Sequence, residues 1–168
     1  GGELKGYLDV RDGNEGEVGP NGIQSPQYKG IPYYIKKLNE FVRTFAKAFN
    51  EGIIGSTNGT GHADGYGLDP DKDGPADAST GIRFFTRLDS NGNPESSSTF
   101  IPTGSTDAEI EDIYKTLTAK NFTVSSDVLS DLNTIAASSN GQEVGNIDIL
   151  NAIIKMRHDQ LMFNEGTP

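Results

Sequence analysis

One segment, residues 31–53, constrains the fold of this chain more than any other. Its apolar residues recur in steps of three and four, the spacing that keeps side chains on one stripe of an α-helix. They are Ile31, Ile35, Leu38, Val42, Phe45 and Phe49, and a second row of Tyr34, Phe41 and Ala48 widens the stripe. Pro32 suits the first turn of a helix, where its missing N–H has no intrahelical partner, and Gly52 offers a stop. We therefore predict a helix about 30 Å long, and we expect other helices to bury most of its apolar stripe in an intramolecular core.

Composition limits the kind of protein that this helix can belong to. At 168 residues the chain has the size of one domain. Its net charge of −10 argues against nucleic acids and anionic membrane surfaces as partners, because both attract clustered Lys and Arg. The absence of cysteine excludes disulfides, thiolate catalysis and cysteine-ligated zinc. No apolar run reaches about eighteen residues, so we expect no membrane span. Since the chain opens with Gly1-Gly2 and not with Met, we expect an excised piece of a longer protein.

Shorter elements are predicted on both sides of a loop-rich middle. Residues 1–12 are predicted as a short helix, 13–30 and 52–81 as loops, and 82–88 as the first strand. Residues 96–101 are polar and weakly β-prone, and Pro102 limits them to the edge or end of a sheet. Thr106 and Glu109 have the spacing of a capping box before a short helix. A strand is predicted over 121–124.

The last predicted helix covers residues 146–162. One row on it is formed by Ile149, Ile153 and Met156, and a neighbouring row by Ile147, Leu150, Ile154 and Leu161. The predicted fold class is α+β, predominantly α: a helical bundle built on the long helix (about 32–51) and the last helix (about 146–162), with a small β and loop insertion in the middle. We predict a single domain over 1–168, with a helical core from 1–12, 31–53 and 107–162 and an insertion at about 54–106.

An acidic loop is the strongest candidate for a metal site. Asp69, Asp71, Asp73 and Gly74 repeat the start of an EF-hand calcium loop, with Asp77 at the ninth position. However, Thr80 replaces the bidentate glutamate of the twelfth position, Pro70 stiffens the loop, and no amphipathic helix flanks it. A solvated acidic turn is the favoured interpretation, and calcium binding by these aspartates stays open.

No other set of residues predicts chemistry. His62 and Asp64 could share a site but lack a third ligand, and we expect His158 on the surface of the last helix. The chain contains no G-x-S-x-G nucleophile elbow, and the glycines around Gly59-Thr60-Gly61 lack the lysine of a P-loop. We therefore predict no catalytic, cofactor-binding or metal site, and a protein that is not an enzyme.

Three segments together resemble a known family. The first matching set lies in the opening stretch and at the end of the long helix: Gly1, Gly2, Leu4, Gly6, Leu8, Arg11, Asp12, Ala46, Ala48, Phe49 and Asn50. The second set lies in a Gly/Asp-rich loop and a phenylalanine pair: His62, Gly65, Gly67, Asp69, Gly74, Gly81, Phe84 and Phe85. The third segment is 122–153. In this order the segments resemble the bacterial flagellar hook-associated proteins of the FlgK type, the first hook–filament junction protein. The chain departs from the family by an insertion in the linker before the long helix and by a short 85–122 segment, so it would be a compact version with reduced or missing outer domains.

The resemblance implies a structural role without catalysis. Such proteins are exported through the flagellar type III apparatus to the cell exterior and polymerise between hook and filament. The implied partners are the hook protein, the second junction protein and further copies of the chain, with an export chaperone binding only segments absent here. The long helix would belong to a rod-like core layer, and residues 52–81 and 88–106 would project outward or toward the next subunit. We expect this fragment to be monomeric in solution.

Two other interpretations stay open. Within the same class, the chain could belong to another flagellar axial protein: the second junction protein, the hook subunit or flagellin. The phenylalanine pair after the Gly/Asp loop favours the first junction protein. From a different class, it could be a calcium-dependent binding module organised by Asp69, Asp71 and Asp73.

Overall fold

In the computed structural model of the chain, the long helix α2 spans Ile31–Glu51, as the apolar spacing predicts. A proline occupies its first turn. Gly52 ends it with a φ of 67° and donates its N–H to the carbonyl of Ala48 at 2.8 Å. This left-handed conformation suits glycine because it has no Cβ. The predicted start and stop of α2 are therefore both confirmed.

The structure describes residues 2–12, 18–19, 22–23, 29–55, 57–68, 79–141, 143 and 145–159. Besides α2, the described residues form the helices α1 (Glu3–Asp12), α3 (Ser97–Phe100), α4 (Asp107–Lys115), α5 (Ser126–Ser130) and α6 (Asp148–Met156). Their strands form three antiparallel pairs: β1 (Val18–Gly19) with β2 (Gly22–Ile23), β3 (Ile53–Ile54) with β4 (Thr57–Asn58), and β5 (Phe85–Arg87) with β6 (Phe122–Val124). Two 3-10 turns, His62–Asp64 and Leu132–Thr134, lie in the connections. This mixture of helices and small antiparallel sheets agrees with the predicted α+β class.

The main core lies between α2, α4 and the β5–β6 pair. Its buried residues are Val42, Ala46, Phe100, Ile101, Tyr114 and Leu117. Phe85 of β5 stacks on Phe122 of β6, with ring centroids 4.8 Å apart, and both rings pack against this cluster. The strands predicted over 82–88 and 121–124 are confirmed as the shorter strands β5 and β6. Each of them supplies an aromatic residue to the same core.

Several local signals in the sequence give the expected structure. Thr106 and Glu109 form the predicted capping box: the Glu109 N–H donates to Thr106 Oγ1 at 3.4 Å, and the Thr106 N–H donates to Glu109 Oε2 at 2.8 Å. These bonds occupy two N–H groups that have no partner within α4. The helix predicted over 1–12 is present as α1.

The β-prone interpretation of residues 96–101 is wrong, because this segment forms helix α3. Ser96 caps it by accepting from the Thr99 N–H at 3.2 Å. The Ser97 N–H donates to Asp127 Oδ2 at 2.6 Å, and Ser97 Oγ accepts from the Arg83 N–H at 2.8 Å. Side chains distant in the sequence therefore hold this helical turn in place and outweigh its weak strand propensity.

Helix α6 contacts α2 near the C-terminal end of the long helix. A small cluster of Ala48, Ile54 and Met156, with Phe45 packed against it, joins the two helices. Helix α4, the β5–β6 pair, β3, the His62–Asp64 turn and α1 also contact α2. The last helix was predicted over 146–162; it spans Asp148–Met156, and residues 160–168 lie outside the described residues.

Candidate functional site

The N-terminal half of α2 exposes the apolar stripe that its sequence predicts. Ile31, Tyr34, Ile35, Leu38 and Phe41 are each 47–62% exposed, whereas Val42 and Ala46 are buried. The expectation that most of the stripe lies in an intramolecular core is therefore wrong for its first three turns. The physical reason is the position of the main core, which covers α2 from Val42 onward.

Helix α1, which contacts α2, adds a second exposed apolar set. Its members are Leu4, Tyr7, Leu8 and Val10, of which Leu4 and Tyr7 are 72% and 66% exposed. We call these four residues and the five exposed residues of α2 the α1–α2 apolar surface. Single exposed apolar side chains are ordinary on proteins, but a set of nine on two contacting helices is typical of a surface that binds another molecule.

Helix α6 divides its two apolar rows between the core and the surface. Ile149 and Met156, from the first predicted row, are buried. Ile147, Leu150 and Ile154, from the second row, are exposed. The first row therefore contributes to the core, whereas the described residues of the second row are exposed.

The C-terminal half of α2 is fixed by a polar network that is largely buried. The Asn50 side-chain amide donates to the Phe85 carbonyl at 2.7 Å and to Tyr114 Oη at 3.0 Å, and it accepts from the Phe85 N–H at 3.0 Å. Tyr114 Oη donates to Glu51 Oε1 at 2.8 Å, and Arg83 Nε donates to the same oxygen at 2.9 Å. Helix α2 is thus joined to β5 and α4 by directional bonds, which set its orientation.

Burial and the Glu51 carboxylate together raise the pKa of Tyr114 well above its ordinary value. The phenol therefore stays protonated and acts as the donor to Glu51. Burial works to lower the pKa of Arg83, but the hydrogen bond and the charge of Glu51 outweigh it and raise that pKa. Each of these buried polar groups therefore has a hydrogen-bond partner within the network.

His62 connects three separate segments through its ring. The ring is buried, with Nδ1 2.7 Å from the Ile82 carbonyl and Nε2 2.9 Å from the Ala136 N–H. Because a carbonyl can only accept and an N–H can only donate, Nδ1 carries the proton and Nε2 is the acceptor. Both ring nitrogens are therefore occupied, so the hypothesis of a site shared with Asp64 finds no support in this geometry. The Asp64 carboxylate accepts from the Gly61 N–H at 2.9 Å.

Acidic pH should destabilise the fold through His62. Burial lowers the pKa of His62 below 6.5, and its bond to Ile82 only partly opposes this. The unfolded chain therefore binds a proton more readily than the folded chain, so the free energy of unfolding falls as pH drops below about 6.5. Urea unfolding at pH 7.5 and 5.5 should show a smaller pH-dependent loss for His62→Gln than for the natural sequence.

The exposed His158 provides the control for this measurement. A His158→Gln variant should keep the full pH-dependent loss, because His158 lies on the surface beyond the end of α6. All three proteins contain the same carboxylates, so the comparison isolates the imidazole. An equal loss in the His62→Gln variant would contradict the assignment of the pH dependence to His62.

Asp69, Asp71, Asp73 and Asp77 lie outside the described residues. Within the described part of the chain, no three His, Cys, Asp or Glu side chains are grouped so that they could hold a metal ion. The helices of the described residues also include none with the length and apolar character needed to cross a membrane.

Residues 52–81 and 88–106 were expected to project outward or toward the next subunit, but parts of both segments are buried within the fold. In the first, Gly52, Ile54, Gly61 and His62 are buried against the rest of the fold. In the second, Ser97, Phe100 and Ile101 are buried. These buried residues form part of the body that supports α2.

Sequence reasoning missed the structural roles of Asn50 and His62. One signal could have indicated Asn50: it lies four residues after Ala46 and so falls on the same side of the helix as a core residue. No comparable signal identifies His62, because its partners are 20 and 74 residues away in the chain.

Comparison with models of known protein families, with curated proteins and with solved structures gave no match to this chain. Inference about its function therefore depends on the α1–α2 apolar surface and on the resemblance in the sequence.

Proposed function

We propose that this chain is part of a structural subunit of the bacterial flagellum, which joins hook to filament through subunit–subunit packing and without catalysis. The observation that carries the proposal is the α1–α2 apolar surface. A subunit that works by assembly needs an apolar surface that neighbouring molecules cover, and small contacts suffice where each subunit has several neighbours. The resemblance to the first hook–filament junction protein includes Leu4 and Leu8 of this surface, and it also includes the C-terminal end of α2.

The proposed setting is extracellular, after export through the flagellar type III apparatus. Its partners would be the hook protein, the second junction protein and further copies of the chain. In this setting the exposed rows of α2 and α6 would pack against helices of neighbouring subunits. The predicted helical bundle around the long and last helices would then be completed by assembly, and the isolated chain would be monomeric.

Immunogold electron microscopy of intact flagella, with antibody against this chain, tests the proposal. Label confined to a band between hook and filament would support the junction role. Label along the hook or the filament would favour another axial protein: the second junction protein, the hook subunit or flagellin. Complete absence of flagellar label would overturn the flagellar assignment.

A charge placed on the α1–α2 apolar surface should block incorporation into the flagellum. Leu38→Glu in the full-length protein should abolish the gold band, because desolvating an unpaired carboxylate in a contact is costly. Leu38 is 51% exposed in this chain, so the variant should fold with stability within about 0.5 kcal/mol of the natural sequence. The measurement is gold label per flagellum, with circular dichroism to verify folding.

Leu132→Glu is the matched control for this variant. Leu132 is 71% exposed on the 3-10 turn Leu132–Thr134, outside the α1–α2 apolar surface. The Leu132→Glu variant should be incorporated into the flagellum normally. Normal incorporation of folded Leu38→Glu would show that the surface makes no essential contact.

A calcium-dependent binding module is the second candidate function. It is favoured by the spacing of Asp69, Asp71 and Asp73 in the sequence. Calorimetric titration distinguishes it from the flagellar proposal, since a calcium sensor of this type binds at about 10⁻⁷–10⁻⁵ M. Binding in that range, with a gain in thermal stability, would favour the module.

A further inference from the structure

Helix α6 runs beside α2 from the C-terminal end of the long helix toward its exposed half. At the start of α6, Cγ1 of Ile149 lies 2.6 Å from the place that a Cβ on Gly65 would take, just after the His62–Asp64 turn that contacts α2. At the end of α6, Met156 clusters with Ala48. The two helices are therefore roughly antiparallel, and the chain that follows α6 is directed toward the N-terminal half of α2.

The next apolar side chain on this path is Phe41, which is 47% exposed. Its ring stacks on the ring of Phe45, with centroids 6.1 Å apart. Phe45 in turn packs against the cluster of Ala48, Ile54 and Met156. Phe41 therefore lies one turn beyond the contact between α2 and α6, at the inner edge of the α1–α2 apolar surface.

The chain keeps a helical path after α6. Arg157 has the helical dihedral angles φ −55° and ψ −28°. The Asp159 N–H donates to the Met156 carbonyl at 3.1 Å, which is one further turn of the 3-10 kind. No proline or glycine occurs in residues 157–165, so the sequence contains no helix stop before Gly166.

The apolar row of α6 has the register to reach Phe41. Ile149 and Met156 are buried, and Phe163 is the next residue of this row at a spacing of seven. On α2, Phe41 comes seven residues before Ala48. At about 1.5 Å per residue, each of these steps measures roughly 10 Å along its helix. Because the two helices are antiparallel, equal steps from the Met156 contact lead to the same place.

We propose that Phe163, from the segment after Asp159, packs against the ring of Phe41 and extends the contact between α6 and α2. Two aromatic side chains in contact attract each other by more than the area that they bury. The segment is joined to α6, so it reaches this position without the entropy loss of binding a separate molecule. The inference goes beyond the proposed function, because it concerns a contact within the chain. It leaves α1 and the part of α2 from Ile31 to Leu38 for neighbouring subunits.

A double-mutant cycle in the complete chain tests this contact. Phe163→Ala should lower the urea midpoint of the natural sequence, because it removes apolar area from the contact. In a chain that already carries Phe41→Ala, the same substitution should shift the midpoint by less than about half as much, since its partner is missing. Circular dichroism verifies that each variant is folded. Equal shifts in both chains, or no shift in the natural sequence, would overturn the inference.

Ile31 provides the matched control on the same helix. It is 50% exposed and lies ten residues before Phe41, which is roughly 15 Å along α2. Phe163→Ala should therefore shift the midpoint equally with and without Ile31→Ala. If Ile31→Ala reduced the shift as much as Phe41→Ala does, the coupling would not be local, and the inference would fail.

A tryptophan at position 163 gives a second, independent measurement. The chain contains no tryptophan, so the fluorescence of Phe163→Trp reports on this position alone. Emission from the folded protein should lie at a shorter wavelength than emission in concentrated urea, and adding Phe41→Ala should shift it toward the unfolded value. Emission at the unfolded wavelength from the folded protein would mean that residue 163 faces water and would contradict the contact.

Protein concentration distinguishes a contact within the chain from one between chains. Coupling that weakens on dilution would assign Phe163 to the Phe41 of a second copy and would overturn the inference. A gold band at the junction without coupling would overturn this inference alone, whereas coupling in a chain that gives no flagellar label would overturn the proposed function alone.

Discussion

Asn50→Ala should destabilise the fold by about 3 kcal/mol. Asn50 is fully buried, and its amide bonds both the N–H and the carbonyl of Phe85 in β5. Alanine would leave these two backbone groups without partners, and each unsatisfied buried group costs about 1–3 kcal/mol. For a domain of this size the melting temperature should fall by roughly 6–12 °C. Urea unfolding and calorimetry of both proteins would measure the loss.

The reason for this large effect is that the Asn50 amide takes the place of a neighbouring strand. The backbone groups of Phe84 and Leu88 bond to Ser125 and Asn121, toward the β6 side. Since alternate residues of a strand direct their N–H and carbonyl groups to opposite edges, Phe85 faces away from β6 and meets α2. Its hydrogen bonds therefore depend on Asn50.

Asn39→Ala is the matched control on the same helix. Asn39 Oδ1 accepts one hydrogen bond, from the exposed Ala119 N–H at 2.9 Å. Water can replace this partner, so the variant should lose no more than about 1 kcal/mol. Equal stability of the Asn50→Ala and Asn39→Ala proteins would show that the Asn50 amide is not the bond that orients α2.

Elements whose signals are local were predictable from the sequence. The apolar spacing, Pro32 and Gly52 specify α2, and Thr106 with Glu109 specifies the start of α4, because each signal acts within a few residues of its effect. Helix α3 could not be predicted in this way. Its stability depends on Asp127 and Arg83, which lie far from Ser97 in the sequence, so a local propensity scale assigns it to a weak strand.

The candidate site was predictable as a stripe but not as a surface. Periodicity shows which residues of α2 share a side of the helix, and it places Leu38 and Val42 on the same side. It does not show where the covering elements end. That limit is set by the positions of α4 and of the β5–β6 pair, so Val42 is buried while Leu38 is half exposed. The functional hypothesis depends on this boundary, which only the three-dimensional arrangement provides.

Gly61→Ala should be the second strongly destabilising change, with a loss of about 3 kcal/mol or more. The backbone of Gly61 is extended, with φ −112° and ψ −176°, so alanine can adopt it and the effect depends on space alone. A Cβ there would meet the backbone nitrogen of Gly52 and the carbonyl oxygen of Asn50, and it would lie 2.6 Å from the Asn50 carbonyl carbon. These are main-chain atoms at the end of α2, so no flexible side chain can move aside.

The predicted loss at Gly61 tests whether residues 57–68 support α2 or project away from the body of the protein. Urea unfolding of Gly61→Ala should give a lower midpoint, and the Asn50 bonds to Phe85 should weaken as α2 shifts to relieve the overlap.

Gly6→Ala is the control, because a Cβ at Gly6 meets no atom within 4 Å and alanine favours the helical conformation of α1 by about 1 kcal/mol. The control should be as stable as the natural sequence or slightly more stable. An unchanged midpoint for Gly61→Ala would mean that this segment separates freely from α2, and residues 57–68 would then be available for contacts with a neighbouring subunit.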